Sequence, residues 1–182
     1  MDNQDKPVRL TRQDLRQRKP TRSHFETLER QRIALVLDGV EGTYNQGAIF
    51  RLCDAFLLEK VHFCGVELQL SHRRFLKAAR GTHGWVPHGH GEDIELVIQT
   101  YRERGYQIVA VEQCLGSQEI DDIAFDSCVC LVFGGELTGV SQAIIDSADV
   151  VAELPSLGMA NSLNVAMSAG IAVYAATRKK TD

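Results

Sequence analysis

No stretch of the sequence approaches the roughly 20 apolar residues that a membrane-spanning helix needs. The opening residues, MDNQDKPVRL, hold no apolar core of a secretory signal. A cytosolic (cytoplasmic) location without a membrane partner is therefore expected. There is also no CxxC pair: Cys53, Cys64, Cys114, Cys128 and Cys130 are odd in number and scattered, three of them in apolar segments. That pattern favours reduced, mostly packed thiols over a disulfide framework. No GxGxxG follows the first strand-like run, where LDGVEGTYNQG fits poorly, which counts against a dinucleotide-dependent oxidoreductase. His83, His88 and His90 lie close together, but their spacing matches no strong ligand pattern and no metal is expected.

What is present suits one globular domain: 182 residues, 44% hydrophobic and 24% charged, with a mean hydropathy of -0.15. The net charge of -4 conceals an asymmetry. Residues 1–32 carry nine Lys/Arg against five acids, a local +4, while residues 33–182 carry 11 bases against 19 acids, or -8. A basic arm on an acidic body can supply phosphate contacts, although a solvated tail has the same composition. The division expected is a basic extension over 1–32 and a folded domain over 33–182.

Beyond the arm, strand-like and helix-like segments alternate. Residues 33–37, 61–64, 107–111, 128–133 and 150–154 read as strands. Residues 45–58, 73–80, 93–104, 141–147 and 162–179 read as helices, with Gly105 closing the third and a Gly/His-rich loop over 81–91. Such alternation predicts an α/β fold, a mostly parallel sheet with helices on both faces. Ligands of such sheets bind beyond the carboxyl ends of the strands. That singles out three loops, residues 38–46, 134–140 and 155–161.

In the first, LDGVEGTYNQGAIFR, Gly39, Gly42 and Gly47 permit tight turns, Asn45 is placed as a helix N-cap, and Arg51 follows six residues later. A capped helix with a surface arginine would read the same way. In the second, LVFGGELTGV, a buried strand ends in Gly134 and Gly135 before Glu136, which lets backbone approach a flat ligand. In the third, ELPSLGMANSLNVAMSAG, Ser162 is a candidate N-cap, and Asn164 adds a donor and an acceptor in the first turn.

Over residues 33–179 these motifs, in this order, resemble the SpoU class of the SPOUT superfamily, RNA ribose 2′-O-methyltransferases, most closely the TrmH-type tRNA guanosine enzymes. The SLNV run after the LP…G loop is the most specific element. The resemblance implies a trefoil knot, with the last helix threaded through an earlier loop. It implies a homodimer whose sites are assembled across the interface. S-adenosylmethionine would be held bent, largely by backbone groups of Gly134, Gly135, Leu154, Leu157, Gly158 and Leu163. Asn45, Arg51, Glu136, Ser162 and Asn164 fall on the functional motif positions, and RNA is the implied partner, tRNA ahead of rRNA. Two departures stand out: the usual D-P-x-N reads Glu41-Gly42-Thr43-Tyr44-Asn45, and Leu154 replaces an isoleucine. Within these residues there is no added RNA-binding domain, so the basic arm or a partner subunit would carry more of the RNA contact.

A guanidinium stays protonated and makes a poor base. The expected role of Arg51 is thus to clamp a phosphate and stabilise the developing oxyanion. Asn45 would orient the ribose or Arg51, Glu136 would fix Arg51 or the loop, and Ser162 and Asn164 would position the phosphate and the cofactor loop. Arg73, Arg74, Lys77, Arg80 and His83 read equally as an RNA-facing patch or a solvated helix face. Trp85, the only tryptophan, reads as a packing residue. A non-catalytic RNA-binding protein remains the alternative, though a binder need not keep all five motif residues.

Overall fold

A computed structural model of the protein describes residues 7–178. Lys179, the expected end of the last helix, and Lys6 of the basic arm lie outside them. The chain divides into two compact units, Met1–Arg30 and Gln31–Asp182.

The first unit holds two short helices, α1 (Arg12–Gln17) and α2 (Arg22–Thr27), neither with a buried residue. Six-residue helices are marginal by themselves, so local bonds must hold them. Thr11 and Asp14 form a reciprocal capping box on α1, and the Thr11 hydroxyl holds the Asp14 carboxyl below its usual range. In α2, Thr21 accepts from the His24 amide and Arg22 pairs with Glu26 at 3.1 Å. The Arg30 guanidinium lies 5.6 Å from the centre of the Phe25 ring.

The second unit runs β1 (Gln31–Asp38), α3 (Thr43–Ala55), β2 (Leu58–Cys64), α4 (Arg73–Ala79), a 3₁₀ turn (Thr82–Gly84), β3 (His88–Glu92), α5 (Ile94–Glu103), β4 (Gln107–Val111), β5 (Gln118–Glu119), β6 (Val129–Gly134), α6 (Gln142–Ser147), β7 (Val150–Glu153) and α7 (Val165–Arg178). The strands form one sheet in the order β3-β2-β1-β6-β4-β7-β5, and every pairing is parallel. β1 is central: Leu35 stands beside Val61 of β2 and Leu131 of β6. Its unbroken apolar run is explained by burial on both faces. Ile33, Leu35 and Leu37 join a core with Ile49 and Phe50 of α3, Phe75 of α4 and Ala169 and Val173 of α7. Ala34 and Val36 face a second core with Val97 and Ile98 of α5 and Ile144 of α6. The α/β, helix-on-both-faces arrangement is as expected.

Several boundaries differ. β3, HGHGE, occupies the expected Gly/His loop. It is a half-exposed edge strand, and glycines in place of an apolar alternation hid it. Its histidines are used in packing: the ring of His88 packs edge-on to Phe50, and His90 pairs with Glu67 at 2.6 Å. The two-residue β5 was too short to register as a strand. The last helix begins at Val165 rather than at Ser162, because the Asn164 carbonyl oxygen Oδ1 accepts from the Ala166 amide and caps it. α3 begins earlier than expected: its N-cap is Gly42, and Asn45 sits inside the first turn, 8% exposed. Gly47 likewise makes no turn. A Cβ there would stand 2.6 Å from the Phe75 carbonyl oxygen, so this glycine lets α3 and α4 approach closely.

On the second core face a polar chain is buried. His62 of β2 contacts Glu92 at 2.5 Å through Nδ1 and the Tyr101 hydroxyl at 3.0 Å through Nε2. Burial lowers the His62 pKa, against the opposing pull of Glu92, and raises that of Tyr101. Both shifts favour the neutral forms, in which Nδ1–H donates to the carboxylate and Nε2 accepts from the hydroxyl.

Candidate active site

Strand order reverses at the β1–β6 junction, and a cleft of about 580 Å³ opens beyond the carboxyl ends of β6, β4 and β7. Gly134, Gly135 and Glu136 line it, as do Leu154, Ser162, Leu163 and Asn164. Leu157 and Gly158 are not on its wall; Leu157 is almost fully exposed on the loop outside. The walls include Glu112 and Glu136 but no Lys or Arg.

The glycines serve the loop's own closure first. Gly135 bridges Gly139, and the Gly139 amide donates to the Gly135 carbonyl at 2.9 Å. A Cβ on Gly134 would overlap the Gly139 backbone, and one on Gly135 would stand 2.7 Å from the Gly39 carbonyl oxygen. Gly39 itself has a φ of +68°, at the turn leaving β1. Two adjacent loops are thereby pressed backbone to backbone at the edge of the cleft. Burial raises the pKa of Asp38, the last residue of β1.

Side chains tie the three sequence motifs into one chain of bonds. The Asn45 amide nitrogen donates to Glu136. The Asn164 amide nitrogen donates to the Asn45 Oδ1 at 3.0 Å, and the Asn164 Oδ1 accepts from the Ala166 amide at 3.0 Å. Asn45 is therefore a buried connector between the β6 loop and the start of α7, not a helix cap. Glu136 contacts Asn45 and not Arg51.

Arg51 stands apart from this group. Six residues at about 100° each rotate it about 120° away from Asn45 around the helix. It is exposed and outside the cleft wall, and its side chain has no hydrogen bond or ion pair among the described residues. Ser162 is exposed on the cleft wall.

Two residues escaped the sequence reading. The Glu112 carboxylate, just past β4, accepts from the Val140 amide at 2.8 Å and fixes the end of the glycine loop. Gln113 donates to the Leu154 carbonyl at 2.9 Å, fixing the exit of β7. Their signal was positional: a polar pair following a buried strand at the same end of the sheet.

The lining fits S-adenosylmethionine. The volume lies in the range of about 300–1,000 Å³ usual for small-molecule sites. Apolar side chains (Val111, Leu154, Leu163) can take an adenine, and a wall with two carboxylates and no cation suits a sulfonium better than a pyrophosphate.

The SpoU rRNA Methylase family model matches residues 32–174. A tRNA (guanosine(18)-2′-O)-methyltransferase of Aquifex aeolicus (strain VF5) is 32% identical over 162 residues, which cover 86% of this chain and 75% of the relative. Among solved structures, an AdoMet-bound rRNA methyltransferase from Sinorhizobium meliloti superposes with a TM-score of 0.75 at 27% identity, over 82% of this chain and 57% of that one. The A. aeolicus TrmH/SpoU tRNA modifying enzyme does so with a TM-score of 0.72 at 28% identity, over 83% and 76%. With the parallel sheet, the cleft beyond the carboxyl ends of β6, β4 and β7 and a family match over most of its length, the chain belongs to the SpoU rRNA methylase family.

Proposed function

We propose that this protein transfers a methyl group from S-adenosylmethionine to a ribose 2′-oxygen of structured RNA, a tRNA guanosine being the first substrate to test. The observation that carries this is the bonded group Glu136–Asn45–Asn164 at the edge of a glycine-walled, cation-free cleft. The A. aeolicus relative named for guanosine 2′-O-methylation of tRNA supports the substrate. Ribosomal RNA is the second reading, favoured by the likeness to the S. meliloti rRNA methyltransferase.

Bound in the cleft, S-adenosylmethionine supplies an electrophilic methyl group on a sulfonium. The protein's part is to place the 2′-oxygen in line with that methyl carbon and to accommodate the charge that develops as the hydroxyl loses its proton. Glu112, Gly135 and Gly139 hold the cofactor loop in shape. Asn45 and Asn164 fix the β6 loop against the first turn of α7, so that Ser162 and Leu163 are presented at the cleft wall. Arg51 clamps the phosphate next to the target ribose and stabilises the oxyanion.

Because Arg51 is exposed outside its own cleft, it serves the cleft of a second copy in a homodimer. The exposed face of α7 supports that arrangement: Met167, Ile171 and Tyr174 are 59%, 43% and 58% exposed at helical spacing. The knot belongs to the same reading, with α7 packed on α3 and β6. The basic N-terminal unit adds phosphate contacts, and the enzyme works in the cytoplasm, where its RNA is. None of the described helices is long and apolar enough to cross a membrane.

The test has two parts. S-adenosylhomocysteine should raise the melting temperature where NAD does not, and unmodified tRNA incubated with the protein and labelled cofactor should yield a 2′-O-methylated nucleoside on digestion. Stabilisation by NAD alone would sink the reading.

A further inference from the structure

The basic helix α4 is left unexplained by the cleft. Its sequence with the capping residue, RRFLKAAR, places four of the 11 Lys/Arg of residues 33–182 within eight positions. No Asp or Glu occurs between Glu67 and Glu92, although the domain as a whole is acidic. Phe75, Ala78 and Ala79 are buried, and Gly47 brings α3 against the Phe75 carbonyl. At about 100° per residue, Arg73 and Lys77 fall on one side of the helix opposite that buried face, about 6 Å apart along the axis, and Arg80, the left-handed C-cap, follows at the end of the helix. Arg74 flanks Arg73.

All four side chains are exposed, and none has a hydrogen bond or ion pair among the described residues. A merely solvated helix would be expected to mix signs, as Arg22 and Glu26 do on α2. Here stability is opposed twice. Arg73 and Lys77 are like charges four residues apart, and Arg73 and Arg74 sit in the first turn, at the positive end of the helix dipole, a cost that Lys77 in the last turn offsets only in part. An arrangement unfavourable to the free helix becomes favourable when a polyanion covers it. The neighbouring helix α3 presents Arg51.

We infer that α4 is a docking surface for the sugar–phosphate backbone of the RNA substrate, holding the strand whose ribose enters the site. This rests on the methyltransferase reading above and adds the surface by which RNA is held. The contacts are to phosphate, so they set affinity and register rather than base choice.

The test is the salt dependence of binding of an unmodified tRNA transcript, measured on the full chain with S-adenosylhomocysteine affinity alongside. For Arg73→Gln/Lys77→Gln/Arg80→Gln, the slope of log K against log salt should fall by about 2 to 3, because each phosphate contact contributes roughly 0.7 to 0.9. Lys77→Gln alone should remove just under one. Arg73→Lys/Arg80→Lys should keep the wild-type slope. KM for RNA should rise at least tenfold in the triple variant, with kcat at saturating RNA within twofold and cofactor affinity unchanged. A triple variant with wild-type slope and affinity would overturn the inference while leaving the methyltransferase reading intact. Wild-type protein that binds S-adenosylhomocysteine but no RNA would overturn both.

Discussion

The side chains of Asn45 and Asn164, 119 residues apart in sequence, are joined by a 3.0 Å hydrogen bond, and Asn45 passes the connection on to Glu136. One buried amide thus holds the first turn of α3, the loop after β6 and the start of α7 in register. Asn45→Ala removes a donor and an acceptor together and should cost about 1–3 kcal/mol of stability. In a double-mutant cycle with Asn164→Ala, the two changes should couple by roughly 0.5–1.5 kcal/mol, read by urea denaturation. S-adenosylhomocysteine affinity should fall in both single variants. Strict additivity would mean the bond is not made in solution.

Gly47→Ala tests the α3–α4 contact. Alanine is favoured over glycine inside a helix by about 1 kcal/mol, yet its Cβ would meet backbone at 2.6 Å and 2.9 Å. Overpacking of this kind costs about 1–3 kcal/mol, and backbone has little freedom to yield, so net destabilisation is expected. A variant more stable than wild type in urea would show that the helices can part without cost.

The His62 chain predicts a pH dependence. Its folded pKa is depressed by burial, with Glu92, Tyr101, Lys60 and Glu59 around it. The unfolded chain therefore binds the proton more readily, and the associated stability is present above about pH 6.5 and lost as pH falls. The slope from this group reaches at most about 1.4 kcal/mol per pH unit. His62→Gln should flatten the stability profile between about pH 7 and pH 5. Parallel profiles for the two proteins would remove His62 as the cause.

Charge on the exposed face of α7 should disrupt the proposed homodimer. Ile171→Glu is expected to shift the mass in light scattering from dimer to monomer and to lower methyl transfer at least tenfold, with the monomer fold retained. If wild-type protein is itself a fully active monomer, Arg51 must act within its own chain.

The elements that sequence made legible are those whose burial dictates composition. The centre of β1 and the run of β6 are apolar because both faces are covered, and the loops after β1, β6 and β7 stand out by glycine and polar punctuation. β3 was hidden because an edge strand needs no apolar alternation, and its register slips beside Cys64. Asn45 was legible as a site residue but not in its position, because capping preference concerns residue type, whereas its burial follows from Glu136 and Asn164 far along the chain. Glu112 carried no local signature, since its role exists only once β4 lies beside β6. The turning of Arg51 away from Asn45 follows from helix geometry once α3 is known to start at Thr43.

The most direct test of the proposed activity is transfer of label from S-adenosylmethionine to total tRNA and, separately, to rRNA, with nucleoside analysis of each pool. A 2′-O-methylated nucleoside is expected, first in tRNA, and Arg51→Ala should abolish it without loss of cofactor binding. No transfer to either pool by a protein that binds S-adenosylhomocysteine and RNA would contradict the proposed activity.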